Sequence, residues 1–376
     1  MLKNHKPGID YAKEQDQKDP LAQYREKFHI PKNEEGQDWL YFTGNSLGLQ
    51  PKQTKNYIQQ ELDDWANLGV EGHFEAKNPW MPYHEFLTES MAKIMGAKPI
   101  EIVVMNTLTT NLHLLMVSFY NPTKKRHKIL IESDAFPSDR YAVQTQLEFH
   151  GYDTNECLIE WTPRTDEKLL RTEDLEQILE TQGEEIALLL IGGVNYYTGQ
   201  YLDLKKIAAL GHAKGCKVGI DLAHGAGNIQ PELHDTGIDF AAWCTYKYLN
   251  AGPGSLGGVF VHERYAHDKT LKRFAGWWSQ NKATRFNMRQ PLDITPGAEG
   301  WQLSNPPILS MAAIKAALDL FNEVGMNKLR EKSIKLTGYL EFLIKGLNHA
   351  QIEIITPSDS NQRGCQLSIQ VKNANK

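Results

Sequence analysis

At 376 residues, 41% of them hydrophobic and 23% charged, the chain has material for one large core and a smaller second one. A net charge of −5 and a pI of about 6.2 supply no basic field for nucleic acid or anionic lipid, and both partner classes are set aside. The N-terminus carries no apolar signal block, and no run is long enough to span a bilayer. Cys157, Cys216, Cys244 and Cys365 are too scattered for a disulfide framework or a cysteine zinc site, so a reducing, cytoplasmic setting without a bound metal is expected.

In chain order, residues 1–35 are charged and weakly periodic, with one short helix expected around Leu21–Phe28. TKNYIQQELDDWA places apolar residues at helical spacing, and HEFLTESMAKIMG repeats that spacing up to Gly96, a C-cap candidate. Short apolar runs then alternate with helical segments. The runs are EIVVM (101–105), KILIES (128–133), IALLLIGG (186–193), KVGID (217–221), FAAWC (240–244) and GGVFVH (257–262). The helices cover Thr109–Phe119, Ser138–Phe149 and Leu204–Ala213. Alternation of this kind predicts an α/β fold with a mostly parallel sheet buried on both faces. After Asn305 two long helical patterns lead to the strand-like runs EIIT (353–356) and CQLSIQV (365–371), which together predict a smaller α+β domain. The expected division is an N-terminal segment 1–55 packing with the small domain, a large domain 56–305 and a small domain 306–376.

In an open α/β sheet, ligands gather beyond the carboxyl ends of the strands. Here those positions hold Thr107, Leu108 and Thr109, then Phe136, Pro137, Ser138 and Asp139, then Asp221 and His224, and lastly Tyr246 and Lys247. Pyridoxal phosphate needs such a set: a lysine for its aldehyde, an acid against its ring nitrogen, and hydroxyls with free N–H groups for its phosphate. Each residue also has a plainer reading. Lys247 could be a solvated loop residue, Asp221 and Thr109 helix caps, and Phe136 core. The GPGSLG stretch (252–257) matches G-x-G-x-x-G, but a strand rather than a helix follows it, which argues against a dinucleotide site.

The segments YFTGNSLGLQPK (41–52), FPSDRYA (136–142), GGVNYYTGQ (192–200), DLAHGAGN (221–228), WCTYKYLNAGPG (243–254), SNPPIL (304–309) and RGCQLSI (363–369) resemble the kynureninase family from about Trp39 to Val371. The resemblance implies a type I pyridoxal-phosphate fold with a seven-stranded sheet, assembled as a homodimer that shares its active sites. It further implies that Lys247 is the Schiff-base lysine, that Asp221 pairs with the ring nitrogen near Asp139, and that Phe136 lies against the ring. Leu108, Thr109, Pro137, Ser138, His224 and Tyr246 become cofactor contacts. Trp277 and Asn305 close over the cofactor from across the dimer interface, with His73 and Asn305 facing the substrate. The implied reaction is hydrolysis of L-kynurenine or its 3-hydroxy form to an anthranilate and L-alanine, in tryptophan catabolism or NAD precursor supply. Lys247 serves as base and Tyr246 as proton donor.

Rival readings are an aminotransferase, a cysteine desulfurase (opposed by Cys365 lying in an expected strand) and an inactive remnant. The last arises because the family's carboxylate-binding arginine is expected beyond RGCQLSI, where the sequence, ending at Lys376, has none; Arg363 is the nearest substitute.

Overall fold

Strands buried on both faces cannot alternate polar with apolar residues, and the central sheet is built from such unbroken apolar runs. The computed structural model describes residues 5–288 and 291–372, so the outer ends of the expected segments 1–55 and 306–376 lie outside the described residues. Seven strands form the main sheet: β1 (Ile102–Met105), β2 (Lys128–Glu132), β3 (Leu158–Trp161), β4 (Ile186–Gly192), β5 (Lys217–Asp221), β6 (Phe240–Cys244) and β7 (Gly257–Val261). Their spatial order is β1-β7-β6-β5-β4-β2-β3. The block from β3 through β2, β4 and β5 to β6 is parallel, while β7 runs antiparallel to both β6 and β1. The carboxyl ends of the parallel strands therefore share one edge, and the β6–β7 turn lies on that edge too.

Helices cover both faces. On one side Leu189, Ile191, Val218 and Ile220 pack with the helices at 85–95, 204–213 and 308–324; on the other Ile129, Ile131, Leu188 and Leu190 meet those at 108–119 and 137–149. Each fully buried side chain of this kind contributes about 1.5–3 kcal/mol relative to exposure. The helix Glu85–Met95 ends on Gly96 in the left-handed conformation expected of its C-cap.

Three elements differ from the sequence expectation. β3 was not anticipated, because LIEW is a short edge strand that is only partly buried and lacks a long apolar run. The N-terminal region holds a helix at Ile9–Gln17 that buries none of its residues, followed by a 3₁₀ turn at Ala22–Lys27. The expected strand 365–371 shrinks to β9 (Ile369–Val371), paired with β8 (Ile352–Ile354). Cys365–Ser368 instead gives its backbone to other partners: Cys365 N–H donates to Asn228 Oδ1 at 2.8 Å and Ser368 N–H to Thr356 Oγ1 at 2.7 Å.

The N-terminal segment binds in two places. Tyr11 packs on Tyr339 of the long helix Met326–Gly346, and Lys332 of that helix pairs with Asp19. Further on, Gly48 N–H donates to Tyr246 O at 2.8 Å, which joins the segment to the turn that follows β6.

At the opposite edge of the sheet Asp239, 1% exposed, fastens the starts of β5 and β6. It accepts from Val218 N–H at 2.6 Å and Arg264 Nη2 at 2.7 Å, lies 2.9 Å from His212 Nε2, and also receives the Tyr265 hydroxyl. Burial alone would raise its pKa, but these bonds outweigh burial and hold the carboxyl well below the usual range. Because the folded value lies below the unfolded one, the stabilisation is present at neutral pH and is lost as pH falls through the carboxylate range. Asp239→Ala is expected to cost about 3 kcal/mol at pH 7, and the gap from wild type should narrow toward acid, as thermal melts at several pH values would measure.

Candidate active site

A cavity of about 510 Å³ opens at the shared edge of strand ends, a size suited to a small ligand. Its wall is assembled from successive strand ends, so each element supplies one part of the chemistry. After β1 the chain turns through Asn106 at φ 45° into the helix Leu108–Phe119. Thr107 caps this helix without a side-chain bond, leaving the first-turn N–H groups near Leu108 and Thr109 to face the cavity, with Ser255 of the β6–β7 turn beside them. This end of the cavity is suited to an anion.

The opposite end is acidic. Asp221 closes β5, and its Oδ1 accepts the Ala223 N–H at 2.6 Å. Asp139 faces it from the first turn of the helix Pro137–Phe149, with an Oδ1 that has no hydrogen-bond partner. Burial, then the charge and contact of Asp221, then Glu132, raise the Asp139 carboxyl well above its ordinary value, with Lys247 opposing them.

Between the two ends lies Lys247, the only cation among the described residues lining the cavity. Its Nζ stands 3.0 Å from His224 Nε2 and 5.7 Å from the centre of the Phe136 ring. Burial, and secondarily the charge of Lys247, depress His224 to about 3, so the imidazole is neutral and accepts from the ammonium. Tyr246 stays protonated because burial, then its contact with Cys244, pushes the phenol up. Gly48 keeps this turn in place: a Cβ there would lie 2.1 Å from Asn250 Oδ1 and 2.3 Å from Lys247 O.

Leu108, Thr109, Phe136, Ser138, Asp139, Asp221, His224, Tyr246 and Lys247, all candidates from the sequence, line this one cavity. Pro137 sits at the helix start without lining the cavity. Trp277 lies in a separate surface pocket with Arg285, Asn305 is exposed, and His73 packs edge-on against Trp80; none of the three reaches the cavity within one chain.

Two expectations are corrected. Arg363 is 2% exposed, bound to Glu341 at 2.7 Å and Pro357 O at 3.0 Å, and does not line the cavity, so it stands as a buried ion-pair partner rather than at the substrate position expected of it. Cys365 lies outside any strand, in a loop where its N–H donates to Asn228 Oδ1, and it does not line the cavity. The sequence reading missed Glu132, Tyr196, Asn45 and Ser46, which also line the cavity. Asn45 and Ser46 lie inside the TGNSLG motif, but only the docking of Gly48 reveals where they go.

The aminotransferase class-V family matches residues 40–376. A kynureninase of Myxococcus xanthus is 58% identical over 362 residues, spanning 96% of this chain and 85% of its own length. The chain belongs to the kynureninase family. Further kynureninases, from Koribacter versatilis and Nematostella vectensis, are 55% and 46% identical over 98% and 96% of the chain, which covers 87% and 82% of theirs.

Solved structures show the fold alone. A cysteine desulfurase of Thermococcus onnurineus superposes with a TM-score of 0.71 at 18% identity, covering 96% of this chain and 83% of that one. The lyase C-DES, solved with glycine covalently linked to its PLP cofactor, gives 0.74 at 19%, covering 88% and 83%. The fold is that of type I pyridoxal-phosphate enzymes, and the cavity of this kynureninase-family chain fits the cofactor. The partnerless Oδ1 of Asp139 beside Asp221 suits a ring N–H, the helix start suits a phosphate, and Lys247 lies between them. His224 should show no titration of its imidazole nitrogen resonances between about pH 8 and pH 5, as NMR of ring-labelled protein would test; a midpoint near 6.5 would contradict the burial described.

Proposed function

We propose that this protein hydrolyses L-kynurenine, and its 3-hydroxy form, to anthranilate or 3-hydroxyanthranilate and L-alanine, within tryptophan catabolism and the supply of NAD precursors. The observation that carries the reading is Lys247 Nζ held between a buried acid pair and an anion-suited helix start, in a chain 58% identical to a kynureninase. When bound, pyridoxal phosphate supplies an aldehyde that tethers an amine and a ring that accepts the electron pair left by a departing proton.

The chain's own residues do the rest. Leu108, Thr109 and Ser138 hold the phosphate, Asp221 with Asp139 holds the ring N–H, and Phe136 forms a wall against the ring face. Pro137 fixes the backbone that carries Ser138 and Asp139. His224, neutral, accepts from Lys247 and keeps the amine directed into the cavity. Once the substrate amine has taken its place, Lys247 removes the α-proton. Water then adds to the side-chain ketone, the carbon–carbon bond breaks to release the aromatic acid, and Tyr246, still protonated, donates to the alanyl fragment.

Trp277, Asn305 and His73 enter through a second copy of the chain, in a homodimer with shared sites. Support comes from the exposed apolar side chains around the Trp277 pocket, Phe274, Phe286, Met288 and Leu292, which a partner would cover. Among the described residues no helix is long and apolar enough to cross a membrane, and the cysteines are free, which suits a cytoplasmic enzyme. Purified protein supplied with pyridoxal phosphate and L-kynurenine should release fluorescent anthranilate, and Lys247→Ala should slow that release by more than about a thousandfold. Undiminished turnover in the variant would end the scheme.

A further inference from the structure

Glu132 takes no part in the motifs that mark the family, yet it lies at the floor of the cavity. It ends β2 and is 4% exposed. Its oxygens accept the Gly192 N–H at 3.0 and 3.1 Å, so its hydrogen bonding comes from backbone and not from a cation. Gly192 leaves the room for this: a Cβ there would stand 2.6 Å from Glu132 Oε1. The charged and titratable groups around it are Asp221 from β5, Asp139 from the helix 137–149, Asp134 just past its own strand and Lys168 from the loop after β3. Lys247 and His224 stand across the cavity.

If Glu132 served only to receive the Gly192 N–H, an amide would do as well. Its position is different in kind, because it adds a third carboxyl to a pair that has no salt bridge among the described residues and feels Lys247 only across the cavity. Burial first, opposed by the Gly192 bond and aided by Asp221 and Asp134, pushes it up to about 7, so charged and neutral forms coexist near physiological pH. A cation arriving at the pair favours the charged forms of Asp139 and Glu132, and the negative potential then felt by that cation includes Glu132.

We infer that Glu132 is a positioning residue which, acting through Asp139 and Asp221, keeps the proton on the ring nitrogen of the bound cofactor. The inference rests on the cofactor reading above and concerns the same site. Glu132→Gln preserves shape and an acceptor for Gly192 while removing the charge. Wild-type and variant holoproteins are titrated by visible absorption between about pH 6 and 10, and their pyridoxal-phosphate dissociation constants are measured by equilibrium dialysis.

The Gln protein is expected to show a spectral midpoint lower by about half to one pH unit and cofactor binding about three- to tenfold weaker. Glu132→Asp, charged but drawn back by one methylene, should fall between the two. A Gln protein equal to wild type in both measurements would overturn the inference and leave Glu132 a backbone acceptor only. Should the Gln protein fail to fold, an Asp protein indistinguishable from wild type in both would overturn it equally. A wild-type protein without a Lys247-dependent cofactor spectrum would overturn the cofactor reading along with it, so the wild type tells the two failures apart.

Discussion

Two carboxyl groups pressed together inside a dry wall repel one another unless a proton or a cation joins them, and the site of this protein is organised around that constraint. Asp221 is fixed by the strand it ends and by the Ala223 N–H; Asp139 is carried on the first turn of the helix that follows β2, two strands away from β5 in the sheet. Both are buried, so the pair is set apart from water on the cavity wall. The neutral state of His224 follows from the same dry surroundings: with Lys247 already charged beside it, a second cation on that wall would be unfavourable.

The parallel topology makes this economical in sequence. Because β2, β4, β5 and β6 all end on one edge, the residues that follow them meet without further instruction. That is why most of the site was legible. Apolar runs of Val, Ile and Leu located the strands, and the polar residues just past them became the candidates. Glu132 escaped because it is the last residue inside a strand, where an acid reads as an edge feature; its role depends on the bareness of Gly192 at the end of the adjacent strand β4, which no local pattern encodes. Asn45 and Ser46 escaped for a related reason, since the contact that places them joins positions very distant in the chain. Trp277, Asn305 and His73 were legible only by family resemblance, and a single chain leaves them outside the cavity.

The fold's outer parts were read less well than its centre, again for physical reasons. β3 is short and half-covered, and the helix at Ile9–Gln17 buries nothing, so neither carries the strong periodicity that burial imposes. Near the β8–β9 pair, Arg363 and Cys365 were weighed for chemistry, yet the structure uses the first as a buried ion-pair partner and the backbone N–H of the second as a donor to Asn228. Residue type alone could not separate those roles, because both depend on what the loop meets.

The docking of Gly48 on the turn of Lys247 bears on how the molecule comes to be folded. It closes a loop of roughly two hundred residues, a contact whose entropic penalty grows with the logarithm of that length. Local helices and neighbouring strands can form long before such a closure. During synthesis the N-terminal segment emerges before its docking site and can make this contact only once the turn that follows β6 has left the ribosome. The cofactor cavity is therefore among the last features to be completed, and a ligand that binds only the completed cavity pulls the whole assembly toward its finished state by mass action.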